Sequence, residues 1–161
     1  MSQMPNDASI VLRPATAGDS AGVTACVCAA YIHYIERIGK QPGPMLENYA
    51  EVIAERQVHV ATDGEAIVGV LVLEPTAEGF YLDNVAVHPA VRGKGVGKRL
   101  LERAELEAQR QGYQSIYLAT HEKMTENRDL YLRIGYVEFD HRVINGYPRV
   151  FFRKKLRESA V

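Results

Sequence analysis

Apolar residues along this chain recur in some stretches with a period near 3.6, and in others alternate or form short unbroken runs. Ser9-Ile10-Val11-Leu12-Arg13 predicts a short first strand, which Pro14 stops. Thr16 and Asp19 then give a capping signal for a long helix. Val23, Cys26, Val27, Ala30, Tyr31, Tyr34, Ile35 and Ile38 keep the helical period along it and form its inward face. Gly39 ends that helix, and Gln41-Pro42-Gly43-Pro44 reads as a stiff loop. A second amphipathic helix is predicted from about Met45 to Glu55, with Leu46, Tyr49, Ala50 and Ile53 inward.

The pattern then changes to strands. Val58–Thr62 and Ala66–Leu73 flank Asp63-Gly64, a hairpin signal. Pro75 to Glu78 predicts a turn into Phe80–Val87, a stretch rich in β-branched and aromatic residues that His88-Pro89 terminates. A glycine-rich loop follows, and after it a helix with Val96, Leu100, Leu101, Ala104 and Ala108 on one face. Gly112 caps that helix, Ser115–Thr120 is a further strand, and a short helix near Thr125 to Ile134 is ended by Gly135. The last two strands, Tyr136–Val143 and Arg149–Leu156, flank a turn containing Asn145-Gly146. The order β-α-α-β-β-β-α-β-α-β-β predicts an α/β (α+β) fold, with one mixed, mostly antiparallel central sheet and helices on both faces.

Composition narrows the function classes. With 161 residues the expectation is a single domain, residues 9–157, preceded by a short flexible tail over residues 1–8. A formal net charge of −1 with dispersed basic residues gives no reason to expect nucleic acid or an acidic membrane as partner. No apolar run approaches the roughly 20 residues of a membrane span, and the start MSQMPNDAS lacks the pattern of a signal peptide. Cys26 and Cys28 are two apart on the predicted first helix, a poor geometry for a disulfide, so their usage fits a reducing cytoplasm. The five histidines show no metal-ligand spacing, and no metal is expected.

Candidate chemistry concentrates after the central strand, at Arg92-Gly93-Lys94-Gly95-Val96-Gly97-Lys98. Glycines at 93, 95 and 97 remove alternate side chains, so a ligand can lie on main-chain N–H groups. The next helix begins there, and the open amides and dipole of its N-terminus favour an anion such as phosphate. A P-loop would need glycine where Arg92 stands and Ser or Thr where Arg99 stands. A dinucleotide fingerprint starting at Gly93 would need glycine where Lys98 stands. What remains is R-x-x-G-x-G, from Arg92 through Gly95 to Gly97, after a strand ending V-x-V-x-P. The residues alone also allow a tight strand-to-helix turn that binds nothing.

That arrangement resembles the coenzyme-A loop of the GNAT superfamily, the general-control-type N-acetyltransferases. The element order is also similar to the GNAT order, from about Ile10 to Leu156. The resemblance implies the GNAT acyl-CoA N-acyltransferase fold. It implies an enzyme that uses acetyl-CoA and transfers the acetyl group directly to a primary amine of a small molecule or peptide in a ternary complex. A catalytically silent acyl-CoA-binding sensor is the alternative. By position it implicates the backbone of Val85 and Val87 in holding the pantetheine arm, and the amides of Gly93 to Lys98 in holding the pyrophosphate. Arg92, Lys94 and Lys98 would add positive charge. Asn127-Arg128-Asp129-Leu130-Tyr131-Leu132-Arg133-Ile134-Gly135-Tyr136 is similar to the family's late helix, L-Y-x-x-x-G-F/Y. This makes Tyr131 the candidate acid for the departing sulfur. Asn127, four residues earlier on the same helix face, is a candidate contact to the cofactor. Asp83 is the candidate base; it is equally a substrate-amine anchor or a backbone-bonded carboxylate. Tyr34 through Tyr49, with Arg37, Met45 and Glu47, and the turn Ile144 to Pro148 are expected on the acceptor side. Similar proteins are often homodimers.

Overall fold

A computed structural model describes residues 9–157; the tail expected over residues 1–8 lies outside them. Seven strands hydrogen-bond in the order β1-β2-β3-β4-β5-β7-β6. They are β1 (Ile10–Pro14), β2 (Gln57–Asp63), β3 (Ala66–Thr76), β4 (Gly79–Val87), β5 (Ser115–His121), β6 (Val137–Ile144) and β7 (Tyr147–Lys155). The helices are α1 (Ser20–Tyr31), α2 (Tyr34–Ile38), α3 (Tyr49–Glu55), α4 (Val96–Arg110) and α5 (Thr125–Arg133). Pairing is antiparallel for β1–β2, β2–β3, β5–β7 and β6–β7, and parallel for β4–β5. The sheet is therefore mixed, as the element order predicts. The described chain falls into two compact units, one of residues up to Leu73 with Asn84–Arg103, the other of Glu74–Asp83 with the residues from Ala104 onward.

In the first unit the helices cover both sides of β3. Val23, Cys26, Val27 and Ala30 of α1 and Tyr49 and Val52 of α3 pack on Val58, Val60, Val70, Val72 and Ala86. Residues next to these on β3 face the other way. There a Cβ on Gly69 would stand 2.9 Å from Leu100 Cδ1, 3.0 Å from Val96 Cγ1 and 3.1 Å from the Ala61 Cβ. This close approach seats the start of α4 on β3. Gly69→Ala is expected to cost about 1–3 kcal/mol by overpacking, read as a lower urea midpoint at unchanged slope. An unchanged midpoint would mean that α4 does not rest on this glycine.

Two helices differ from expectation. The long first helix is broken at Ile32–His33, where Ile35 N–H bonds Ile32 O at 3.2 Å in a tighter i→i+3 turn before α2 begins. The helix expected from Met45 is a 3₁₀ turn over Gly43–Leu46, and α3 starts only at Tyr49. The reason is Asn48, whose side-chain oxygen accepts from Ala50 N–H at 3.1 Å and Glu51 N–H at 3.4 Å and so fixes the N-cap. Tyr49 and Val52 are buried, whereas Leu46 and Ala50 are exposed. β3 also continues through Pro75 to Thr76, beyond its last pair with β2, Leu73 with Gln57.

In the second unit β5 lies between β4 and β7, and its parallel register with β4 runs from Phe80↔Ile116 to Leu82↔Leu118. The β6–β7 hairpin turns at Asn145 and Gly146, both left-handed at φ 52° and 80°, as a two-residue primed turn requires. Lys154 Nζ reaches Glu105 Oε1 at 2.8 Å and ties β7 to the last part of α4.

Candidate active site

In the first unit, β4 delivers the chain to the glycine loop. His88 N–H donates to Val68 O on β3 at 2.9 Å. Successive residues of a strand turn their main-chain groups to opposite edges. Ala86 therefore faces β3 as His88 does, and Val85 and Val87 turn their N–H and C=O away from it. A short 3₁₀ turn over Pro89–Val91 follows, with His88 Nδ1 accepting from Ala90 N–H at 3.1 Å. Gly93 and Gly95 are left-handed at φ 78° and 81°, conformations in which a side chain is strained. Val91 O accepts from Lys94 N–H at 3.3 Å, and the first bond of α4 is Arg99 N–H to Gly95 O at 3.1 Å.

This leaves the amides of Gly93, Gly95, Val96, Gly97 and Lys98 without an acceptor among the described residues. The first turn of α4 carries no acidic residue. Arg92, Lys94 and Lys98 have no carboxylate partner among the described residues, and Arg92 and Lys98 are exposed. Open donors, a helix N-terminus and uncompensated cations meet in one loop. An anion with several oxygens is the group that such a cradle fits.

The burial of β4 alternates through all nine residues, with Phe80, Leu82, Asn84 and Ala86 buried. Asn84 was not singled out by the sequence reading and is the polar member of that series. Its Oδ1 accepts from the Tyr31 hydroxyl at 2.7 Å, and its Nδ2 donates to the Tyr49 hydroxyl at 3.2 Å. Its sequence signal was an amide at a position where alternation puts a core residue.

In the second unit Asp83 is half-buried. The Tyr81 hydroxyl is pushed up to about 12, chiefly by burial and next by the Asp83 charge, and it has Arg149 as a hydrogen-bond partner. Tyr81 is thus held protonated at neutral pH. Arg149, missed by sequence reasoning, comes from β7, where it pairs in register with His121. Tyr131 of α5 is buried at 5% exposure, its ring centroid 5.6 Å from that of Tyr136 and 6.1 Å from that of Phe152. Asn127 turns its Nδ2 to the Met124 sulfur at 3.6 Å. Among the described residues no cluster of His, Cys, Asp or Glu has the makings of a metal site. Cys26 and Cys28 are free thiols, and burial raises the Cys26 thiol to about 11. No helix among the described residues is long and apolar enough to cross a membrane.

In the first unit, within the segment expected to face the acceptor, Arg37 lies over the Tyr34 ring at 5.0 Å, and Glu47 pairs with Arg56 at 3.6 Å. In the second, His121 meets Tyr147 edge-on with centroids 6.2 Å apart.

The profile of the acetyltransferase (GNAT) domain family matches residues 54–138, more than half of the chain. The chain belongs to the GNAT acetyltransferase family. The match takes in β4, the glycine loop, α4 and α5. Among relatives, a [ribosomal protein bS18]-alanine N-acetyltransferase from Haemophilus influenzae is 31% identical over 87 residues, which are 54% of this chain and 58% of that protein. The chain thus spans little more than half the length of that relative. The paia N-acetyltransferase of Thermoplasma acidophilum, solved in complex with coenzyme A, superposes with a TM-score of 0.76 at 18% identity, over 91% of this chain and 99% of that one. A GNAT family acetyltransferase from Elizabethkingia anophelis with acetyl-CoA bound gives a TM-score of 0.72 at 21% identity, over 92% and 99% of the two chains. These structures share the fold.

Proposed function

We propose that this GNAT protein is an acetyl-CoA-dependent N-acetyltransferase acting on a primary amine of a small molecule or peptide, by direct transfer in a ternary complex. The observation that carries the reading is the row of open amides at Gly93, Gly95, Val96, Gly97 and Lys98, within the segment that matches the family. Those amides would hold the pyrophosphate, with Arg92, Lys94 and Lys98 supplying charge. The main-chain edge of Val85 and Val87 would pair with the pantetheine arm. When bound, acetyl-CoA supplies an acetyl group already activated as a thioester.

The remaining work falls to side chains. Tyr131 holds at its phenolic oxygen the proton that a departing thiolate takes. Asp83 takes a proton from the incoming ammonium, directly or through a water; Tyr81 stays protonated beside it and cannot compete as a base. Asn127 contributes an amide near the cofactor.

A panel of primary amines, including a peptide with N-terminal alanine, tests this through thiol release from acetyl-CoA. At least one amine is expected to release coenzyme A and gain one acetyl group by mass. Tight acetyl-CoA binding with no amine-dependent release across the panel would favour a silent acyl-CoA sensor instead.

A further inference from the structure

The hydrogen-bond chain through Asn84 in the first unit has a single possible direction. The Tyr49 hydroxyl lies 2.6 Å from Pro44 O, a carbonyl that can only accept, so the tyrosine donates there. It must then accept from Asn84, which turns the amide nitrogen to Tyr49 and the amide oxygen to Tyr31. Tyr31 therefore donates, and its hydroxyl also lies 3.2 Å from Val85 O on β4. Asn84 is 6% exposed and Tyr49 4%. Tyr31 is the last residue of α1 and Tyr49 the first of α3. The residues that flank segment 32–48 are thus both fastened to one side chain of β4, and Pro44 within the segment is held through Tyr49.

We propose that Asn84 is a positioning residue, a clasp that fixes segment 32–48 against β4 and so sets the geometry with which the acceptor amine is received. The function of the segment rests on the acetyltransferase reading above. A hydrophobic residue would fill this position with less desolvation. The amide is suited to it because it accepts on one side and donates on the other, which closes the loop at a defined register.

Asn84→Asp keeps the shape and makes the clasp switchable. Protonated, the introduced carboxyl both accepts and donates, as the amide does; ionised, it has no donor for Tyr49. The titratable groups hydrogen-bonded to it are Tyr31, from α1, and Tyr49, from α3. Burial raises a carboxyl above its ordinary value, so the clasp is whole at low pH and lost as pH rises through that raised value. Amide hydrogen exchange over 32–48, corrected for intrinsic rate, is expected to match wild type at about pH 5 and to run at least about tenfold faster at pH 8. With the fastest amine of the panel, acceptor KM at pH 8 is expected to rise about tenfold, with kcat changed less than about threefold and the acetyl-CoA Kd less than about twofold. Tyr49→Phe deletes one hydroxyl and keeps the ring, and is expected to shift exchange and KM in the same direction by about threefold at every pH.

Unchanged exchange in both variants overturns the clasp. Faster exchange without a change in acceptor KM reduces Asn84 to a structural residue and overturns the positioning role. Parallel loss of acetyl-CoA binding overturns it as well. If wild type acetylates no amine, the acetyltransferase reading and the positioning role built on it both fall, and exchange still decides whether the clasp exists.

Discussion

Gly95→Glu is expected to weaken acetyl-CoA binding at least about 100-fold, roughly 2.7 kcal/mol, measured by isothermal titration. Two causes act in the same direction. Gly95 sits at φ 81°, where a side chain costs about 1–2 kcal/mol. The substitution also brings a carboxylate to a row of open amides at the start of α4 that favours negative charge, where it would compete with the pyrophosphate. Strain alone would lower stability wherever it occurred, so Gly112→Glu is the control. Gly112, after the last residue of α4, has φ 87° and carries the same backbone strain away from the loop. Both variants are expected to melt earlier, and the Gly95 variant alone is expected to lose affinity. Wild-type affinity in Gly95→Glu would remove the anion cradle from this loop, and with it the argument for the cofactor.

Local chemistry was legible in the sequence and distant partnership was not. Asn145-Gly146 marked its turn because left-handed backbone at adjacent positions is a property of those two residues. The glycine loop was legible because its donors belong to the main chain and its cations are its neighbours in sequence. The break between α1 and α2 was invisible, since a single tightened turn at Ile32 leaves the apolar spacing on either side nearly in phase. Ala50, expected inward, is exposed because the period alone does not say where a helix starts, and Asn48 starts α3 later than the apolar run suggested. The partners of Asn84 come from helices far earlier in the chain, and that of Tyr81 from β7. Alternation could reveal that a buried amide would need partners, but not which hydroxyls would supply them.

Tyr131→Phe is expected to lower kcat by about 10²–10⁴-fold while leaving the acetyl-CoA Kd within about threefold of wild type. Phenylalanine keeps the ring that packs against Tyr136 and Phe152 and deletes one oxygen, so the core of the second unit should survive. The neighbouring Tyr136→Phe is the matched control. Tyr136 is 2% exposed, its hydroxyl has no hydrogen-bond partner among the described residues, and burial drives its ionisation well above the ordinary range. Removing a buried hydroxyl that is already unsatisfied should be neutral or stabilising, with turnover unchanged. The two substitutions remove the same atom from adjacent buried rings, so general damage from deleting a phenol oxygen would affect both alike. If Tyr131→Phe turns over within about threefold of wild type, the proton for the departing thiolate comes from another group. If both variants lose turnover together, the loss reflects the packing of this core and Tyr131 has no special role.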